Sequence, residues 1–187
     1  GAPRTAPPPA DWPAQVLRFW FDEHGMGDWF GGGPAFDAAL APFADWRDAL
    51  RGLPVDAFLA DAQTALAAII LFDQVPRNRH RGQAEAFATD DLARALARAI
   101  HAAQWDDGMT QDQRAFAYLP FEHSEDMDDQ RESLRLFTAM GNAEYTRYAQ
   151  SHFDVIKQFG RFPHRNAALG RADRDGEAAA IAAGAAW

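Results

Sequence analysis

Residues 56–73 read DAFLADAQTALAAIILFD, and the spacing of their apolar side chains decides the fold class. Leu59, Ala62, Leu66 and Ile70 recur at helical spacing, which at about 100° per residue puts them on one face. Asp56 can cap the start of this helix, and Asp73 falls on its apolar stripe. The next residues, Gln74-Val75-Pro76-Arg77-Asn78, contain a proline that is expected to stop the helix. Asp73 would then lie at a helix C-terminus, where the helix dipole disfavours a carboxylate.

The same period runs through the rest of the chain. Helices are expected from Asp11, from Pro34 to Leu50 with a kink or break at Pro42, and from Asp90 to Ala103 with Thr89 as cap. Thr110 and Gln113 form a capping-box pair, so a helix should start at Gln111 and end before Pro120. Further helices are expected from Ser124 to Met140, from Asn142 to Phe159 and, rich in alanine, from Asp173 towards Ala183. The first helix is expected to end near Asp22, before a glycine-rich loop through Gly33. No alternating β-branched run is long enough for a strand, so the class is all-α: an array or irregular bundle of antiparallel helix pairs. Residues 1–10 are small residues and prolines, expected as a disordered tail. Residues 11–187 are expected as a single all-helical domain.

Composition narrows the function classes. A formal charge of −9 opposes broad nucleic-acid binding. The absence of cysteine removes disulfides, thiolate catalysis and thiolate metal sites. No apolar run reaches the length of a membrane span or follows a basic start, which points to a cytoplasmic protein away from membranes. Of the 18 basic residues only Lys157 is a lysine. Oligomeric state is left open.

Three strings hold polar residues beyond what helix ends require. Asp73 on an apolar face needs a cation, and Arg77, beside Asn78, follows it at one helical turn. Arg161, Arg165 and Arg171 cluster with His164 and Asn166 in a second segment, Phe159-Gly160-Arg161-Phe162-Pro163-His164-Arg165-Asn166, which echoes the first. Such arginines suit either an internal ion-pair clamp or the recognition of a carboxylate or phosphate. In Glu122-His123-Ser124-Glu125-Asp126, Ser124 can cap a helix and the two following acids complement its first turn, leaving Glu122 and His123 to be explained. His152 lies among Tyr145, Tyr148, Ile156 and Phe159, the usual setting of a hydrogen-bonded core histidine. No short His-to-His spacing supports a metal site at His123, His152 and His164, so neither metal nor cofactor is assigned.

The strings Val16-Leu17-Arg18-Phe19-Trp20-Phe21, Phe72–Asn78 with Arg81-Gly82, Tyr118-Leu119-Pro120-Phe121-Glu122-His123-Ser124-Glu125 and Phe159–Asn166 with Leu169-Gly170-Arg171 resemble those of a bacterial family, domain of unknown function 924. Val75 departs from its usual aromatic, and Ala172-Asp173-Arg174-Asp175 from its usual hydroxyl-bearing helix start. The resemblance implies a tetratricopeptide-like helical architecture and no activity. The expected function is a binding module whose cleft, lined by Asp73, Arg77, Asn78, His152, Arg161, His164, Arg165, Asn166 and Arg171, takes a small anionic metabolite or acidic peptide. The alternative is a hydrolase or lyase with Glu122 and His123 as acid–base groups, with or without a metal.

Overall fold

Within residues 56–73 the α-helix begins only at Ala62, and the chain is buried on every side from Ala65 onward. Asp61 caps the helix, accepting from the Thr64 N–H at 2.7 Å, after a 3-10 turn over Val55–Phe58. Asp61, in an extended backbone conformation, gives the orphan N–H groups of the first turn a side-chain acceptor, so the start lies later than Asp56. In this computed structural model, which describes residues 6–184, no residue is in a strand, and no helix is long and apolar enough to cross a membrane.

The chain divides into two compact units, one of residues 1–81 and 85–117 and one of residues 82–84 and 118–187. The first holds α1 (Trp12–Leu17), α2 (Met26–Gly31), α3 (Pro34–Ala39), α4 (Ala41–Leu50), α5 (Ala62–Ile69), α6 (Val75–Arg79), α7 (Asp90–Ala102) and the start of α8 (Gln111–Glu122). Helices α1 and α7 both pack on α5, so residues Ala65 to Ile69 are at most 2% exposed. Burial of each large aliphatic side chain contributes about 1.5–3 kcal/mol. A ring cluster fills the rest: Trp20 stacks on Trp29, meets Phe116 edge-on, and accepts through its carbonyl from Trp29 Nε1 at 2.9 Å.

Pro42 does divide the helix expected over Pro34–Leu50, since α3 ends at Ala39 and α4 begins at Ala41. The glycine-rich segment is not all loop. It contains α2, and Gly32 just after it has no room for a side chain, because a Cβ there would strike the Asp28 carbonyl. The capping box is present, with Gln113 N–H on Thr110 Oγ1 at 3.2 Å and Thr110 N–H on Gln113 Oε1 at 3.1 Å.

Pro76 does not stop its helix. After α5 the chain widens into a π-turn, Ile70–Gln74, in which the Val75 N–H reaches back to the Ile70 carbonyl, and α6 continues with Pro76 in its first turn. A proline has no N–H for the carbonyl four residues earlier, here that of Phe72. The Thr89 hydroxyl takes that place, donating to Phe72 O at 2.7 Å. Thr89 Oγ1 in turn accepts from the fully buried Arg47 Nε at 3.2 Å. Thr89 stands at the N-cap position of α7 as expected, but its hydroxyl is taken by these contacts and makes no cap bond there. Asp73 sits within a continuing helical run rather than at its end.

The second unit holds the end of α8 with α9 (Met127–Met140), α10 (Ala143–Phe159), α11 (Asn166–Leu169) and α12 (Glu177–Ala182). Pro120 lies inside α8 instead of ending it, and the following turn closes normally with His123 N–H on Leu119 O at 2.9 Å. Leu119 and Phe121 are both buried, and that burial offsets a proline penalty of about 3 kcal/mol. Helix α9 is capped by Asp126, not Ser124: Asp126 Oδ1 accepts from the Asp128 and Asp129 N–H groups. Asn142 caps α10, which packs antiparallel on α9, and Gly160 ends it at φ 74°, a backbone region favouring glycine. Asp173 is four residues short of α12, whose N-cap is Gly176. Of the tail expected over residues 1–10, the first five lie outside the described residues, and 6–9 have no regular secondary structure.

Thr89→Val should leave both the Phe72 carbonyl and Arg47 Nε without a partner at nearly constant volume, lowering stability to urea by about 1–3 kcal/mol. Thr89→Ser, which keeps the hydroxyl, should lose markedly less.

Candidate functional site

Asp73, Arg77 and Asn78 belong to the first unit, and their polar atoms are spent within it. Asp73 is 0% exposed; its carboxylate accepts from Gln74 Nε2 at 2.7 Å and from Arg77 Nη1 at 3.3 Å. Arg77 grips Asp90 with both terminal nitrogens, at 2.7 and 2.9 Å, lies over the Phe87 ring, and donates to its own helix at Asp73 O. Burial opposes the Arg77 charge, but attraction to Asp90 and then Asp73 outweighs it, so the guanidinium holds its proton more firmly than a free one. Asn78 donates to Asp37 Oδ1 at 3.1 Å.

The remaining site candidates lie in the second unit. Arg161 forms a bidentate pair with the fully buried Glu177, at 2.9 and 2.7 Å, and donates to Ala172 O. The Arg161 hydrogen bond is the main reason that Glu177 is pulled down to about 2. Arg171 forms a second fork on Glu125, at 2.9 and 3.1 Å, and also reaches Phe162 O and Asn166 Oδ1. Glu125 accepts the Phe162 N–H as well; burial pushes its pKa up, but Arg171 and this N–H bring it below the ordinary carboxylate range. Asn166 donates to Asp173 at 2.9 Å. Arg165, nine-tenths buried, donates to the His123 carbonyl at 2.8 Å and lies 4.7 Å over the Phe162 ring.

The histidines gather around the same ring. His152 packs edge-on against Phe162 with centroids 5.6 Å apart, His164 is 5.9 Å from Phe162, and His123 is 6.3 Å from His152. His152 Nδ1 stands 2.7 Å from the Tyr148 carbonyl one turn earlier. A carbonyl only accepts, so Nδ1 carries the proton and Nε2 the lone pair. Burial, followed by the charges of His123, Arg165 and His164, pushes His152 down to about 3. It is therefore neutral at physiological pH. Glu122, 4% exposed, places Oε2 3.8 Å from that Nδ1. Among the described residues no three His, Asp or Glu side chains are placed to hold a metal ion.

One concave feature of the second unit was not singled out from the sequence. A groove of about 500 Å³ is lined by Met127 and Arg131 from α9, by Phe153, Ile156 and Lys157 from α10, and by Glu125 and Gly160 at their ends. Its residues stand at positions 127 and 131 and at 153, 156, 157 and 160, both of them helical spacings. That periodicity, with the sole lysine in it, was the available signal. Arg131 donates to the exposed Asp128 at 2.6 Å, and both side chains are largely in solvent. Lys157 is exposed and makes no ion pair or hydrogen bond among the described residues.

A family profile described as bacterial protein of unknown function, DUF924, matches residues 16–185. The chain belongs to the DUF924 family. The solved structure of a protein of unknown function from Agrobacterium tumefaciens is similar over 94% of this chain and 99% of that one, at 36% identity and a TM-score of 0.87. None of the curated proteins matches. In this DUF924 chain the strings that carry the resemblance are largely those whose arginines and asparagines pair internally, so they account for a shared fold more directly than for a shared ligand.

Two measurements check this account. Asp90→Asn should leave Asp73 as the one carboxylate on Arg77 and replace a charged two-pronged pair by a neutral amide contact, at a cost of about 1.5–3 kcal/mol in denaturant unfolding. His152 has a folded pKa near 3 against an ordinary 6.5, so below 6.5 the unfolded chain takes up a proton that the folded chain refuses. Stability is complete above 6.5 and falls with acid down to about 3, by on the order of 5 kcal/mol. His152→Gln should flatten this part of the stability–pH curve.

Proposed function

We propose that this DUF924 protein is a ligand-binding module whose second unit takes a small carboxylate with an apolar body in the groove between α9 and α10. The observation that carries this reading is the Lys157 ammonium, without a partner among the described residues, beside a floor of Met127, Phe153 and Ile156. A volume of about 500 Å³ is in the range of small-molecule sites and too small for a folded partner. Glu125 would oppose an anion, but both of its oxygens are already taken by Arg171 and the Phe162 N–H. Arg131 can turn from Asp128 to the ligand at little cost, because both members of that exposed pair are solvated. The net charge of −9 acts only weakly at the groove, since charges beyond about 8 Å are screened at physiological salt.

The anionic ligand expected from sequence is thus kept, with its recognition moved from Arg77, Arg161, Arg165 and Arg171 to Lys157 and Arg131. Acid–base chemistry at Glu122 and His123 has weaker support, because Glu122 is 4% exposed and stands beside a histidine held neutral.

Isothermal titration with octanoate, and with octyltrimethylammonium as the charge-reversed control, tests the reading. Octanoate should bind, the cation should not, and Lys157→Glu should weaken octanoate at least about tenfold, or about 1.4 kcal/mol. Equal binding of octanoate to Lys157→Glu, or none to the unaltered protein, would overturn it.

A further inference from the structure

A different observation, independent of the groove, lies on the buried face of α9. Gln130 and Ser133 are both 0% exposed and stand one turn apart on that helix. The Gln130 amide nitrogen donates to two backbone carbonyls, those of Glu122 and Ser124, each at 2.7 Å. Because both carbonyls can only accept, the amide cannot be turned over, and its oxygen must face the other way. There Gln130 Oε1 meets no donor, and Ser133 Oγ has no hydrogen-bond partner either. Two such atoms on one helix face, both fully enclosed, are unusual, because interiors pair nearly all their polar groups.

Their chemistry defines the guest. Gln130 Oε1 needs a donor; Ser133 Oγ can donate or accept. The guest must be small, since both side chains are enclosed, and it must be neutral. Neither orphaned group carries a charge, and an ion enclosed there without a counter-charge would be costly. We propose that Gln130 Oε1 and Ser133 Oγ together hold one buried water molecule as a constituent of the second unit. The water donates to the Gln130 oxygen and exchanges a hydrogen bond with the Ser133 hydroxyl, extending the link that Gln130 already makes from α9 to the end of α8.

The competing arrangement is internal: Ser133 could turn its hydroxyl to the carbonyl four residues earlier in its own helix, as helical serines often do. A crystal structure of the full chain at a resolution that shows ordered water separates the two. The expected result is a solvent peak within about 2.7–3.2 Å of both atoms. Ser133 Oγ bonded to the Asp129 carbonyl, or no peak between Gln130 and Ser133, overturns the proposal. In solution, oxygen-17 relaxation dispersion should count one fewer long-lived water in Ser133→Val than in the unaltered protein. An unchanged count in a folded Ser133→Val also overturns it, and if that variant does not fold, the crystal structure of the unaltered chain decides alone.

Discussion

A guanidinium offers five N–H donors in a rigid fork and does not give up its proton in the physiological range, so each one drawn into a protein interior dictates what gathers around it. The interior of this protein is arranged around that demand. Arg47, with no exposed surface, holds Thr89 Oγ1, and Thr89 thereby presents its hydroxyl to the Phe72 carbonyl that Pro76 leaves unpaired. Arg77 collects Asp73 and Asp90, and Arg165 collects the His123 carbonyl. Taking one partner away from such a group leaves a buried charge uncompensated, which is far more damaging than the pair is stabilising. The arginines therefore specify which segments meet more than they add to net stability.

This explains the internal echo between residues 72–78 and 159–166. The backbones differ: a π-turn carries one helix past Pro76, whereas Gly160 ends the other before Pro163. The side chains nevertheless act alike. Arg77 lies over Phe87 and Arg165 over Phe162, while Asn78 donates to Asp37 and Asn166 to Asp173. What repeats is a way of fastening a helical segment with an arginine and an asparagine, and the identity of the backbone turn is incidental to it.

The same demand separates the fastening groups from a surface able to take a ligand. Arg161 and Arg171 are committed to Glu177 and Glu125 in two-pronged pairs, a geometry that leaves a ligand little to compete for. Lys157 is different in kind, a single strongly hydrated charge on a flexible stem at the edge of an apolar groove. The residues most conspicuous in the sequence are thus occupied with the fold, whereas Lys157, without a partner among the described residues, belongs to none of those strings.

Read alone, the sequence determined the helical class and most of the long helices, because amphipathic period and capping chemistry are local: the Thr110–Gln113 box and the α9–α10 hairpin needed only neighbouring residues. It also marked Asp73 as a buried acid requiring a cation. Tertiary structure decided whether the prolines end helices, since the Phe72 carbonyl opposite Pro76 takes a hydroxyl 13 positions further along the chain and the flanks of Pro120 are buried. It likewise decided which acid each arginine takes, as with Arg161 on Glu177 and Arg171 on Glu125. Those choices depend on distances between segments remote in sequence, and a one-dimensional pattern of residue types does not contain them.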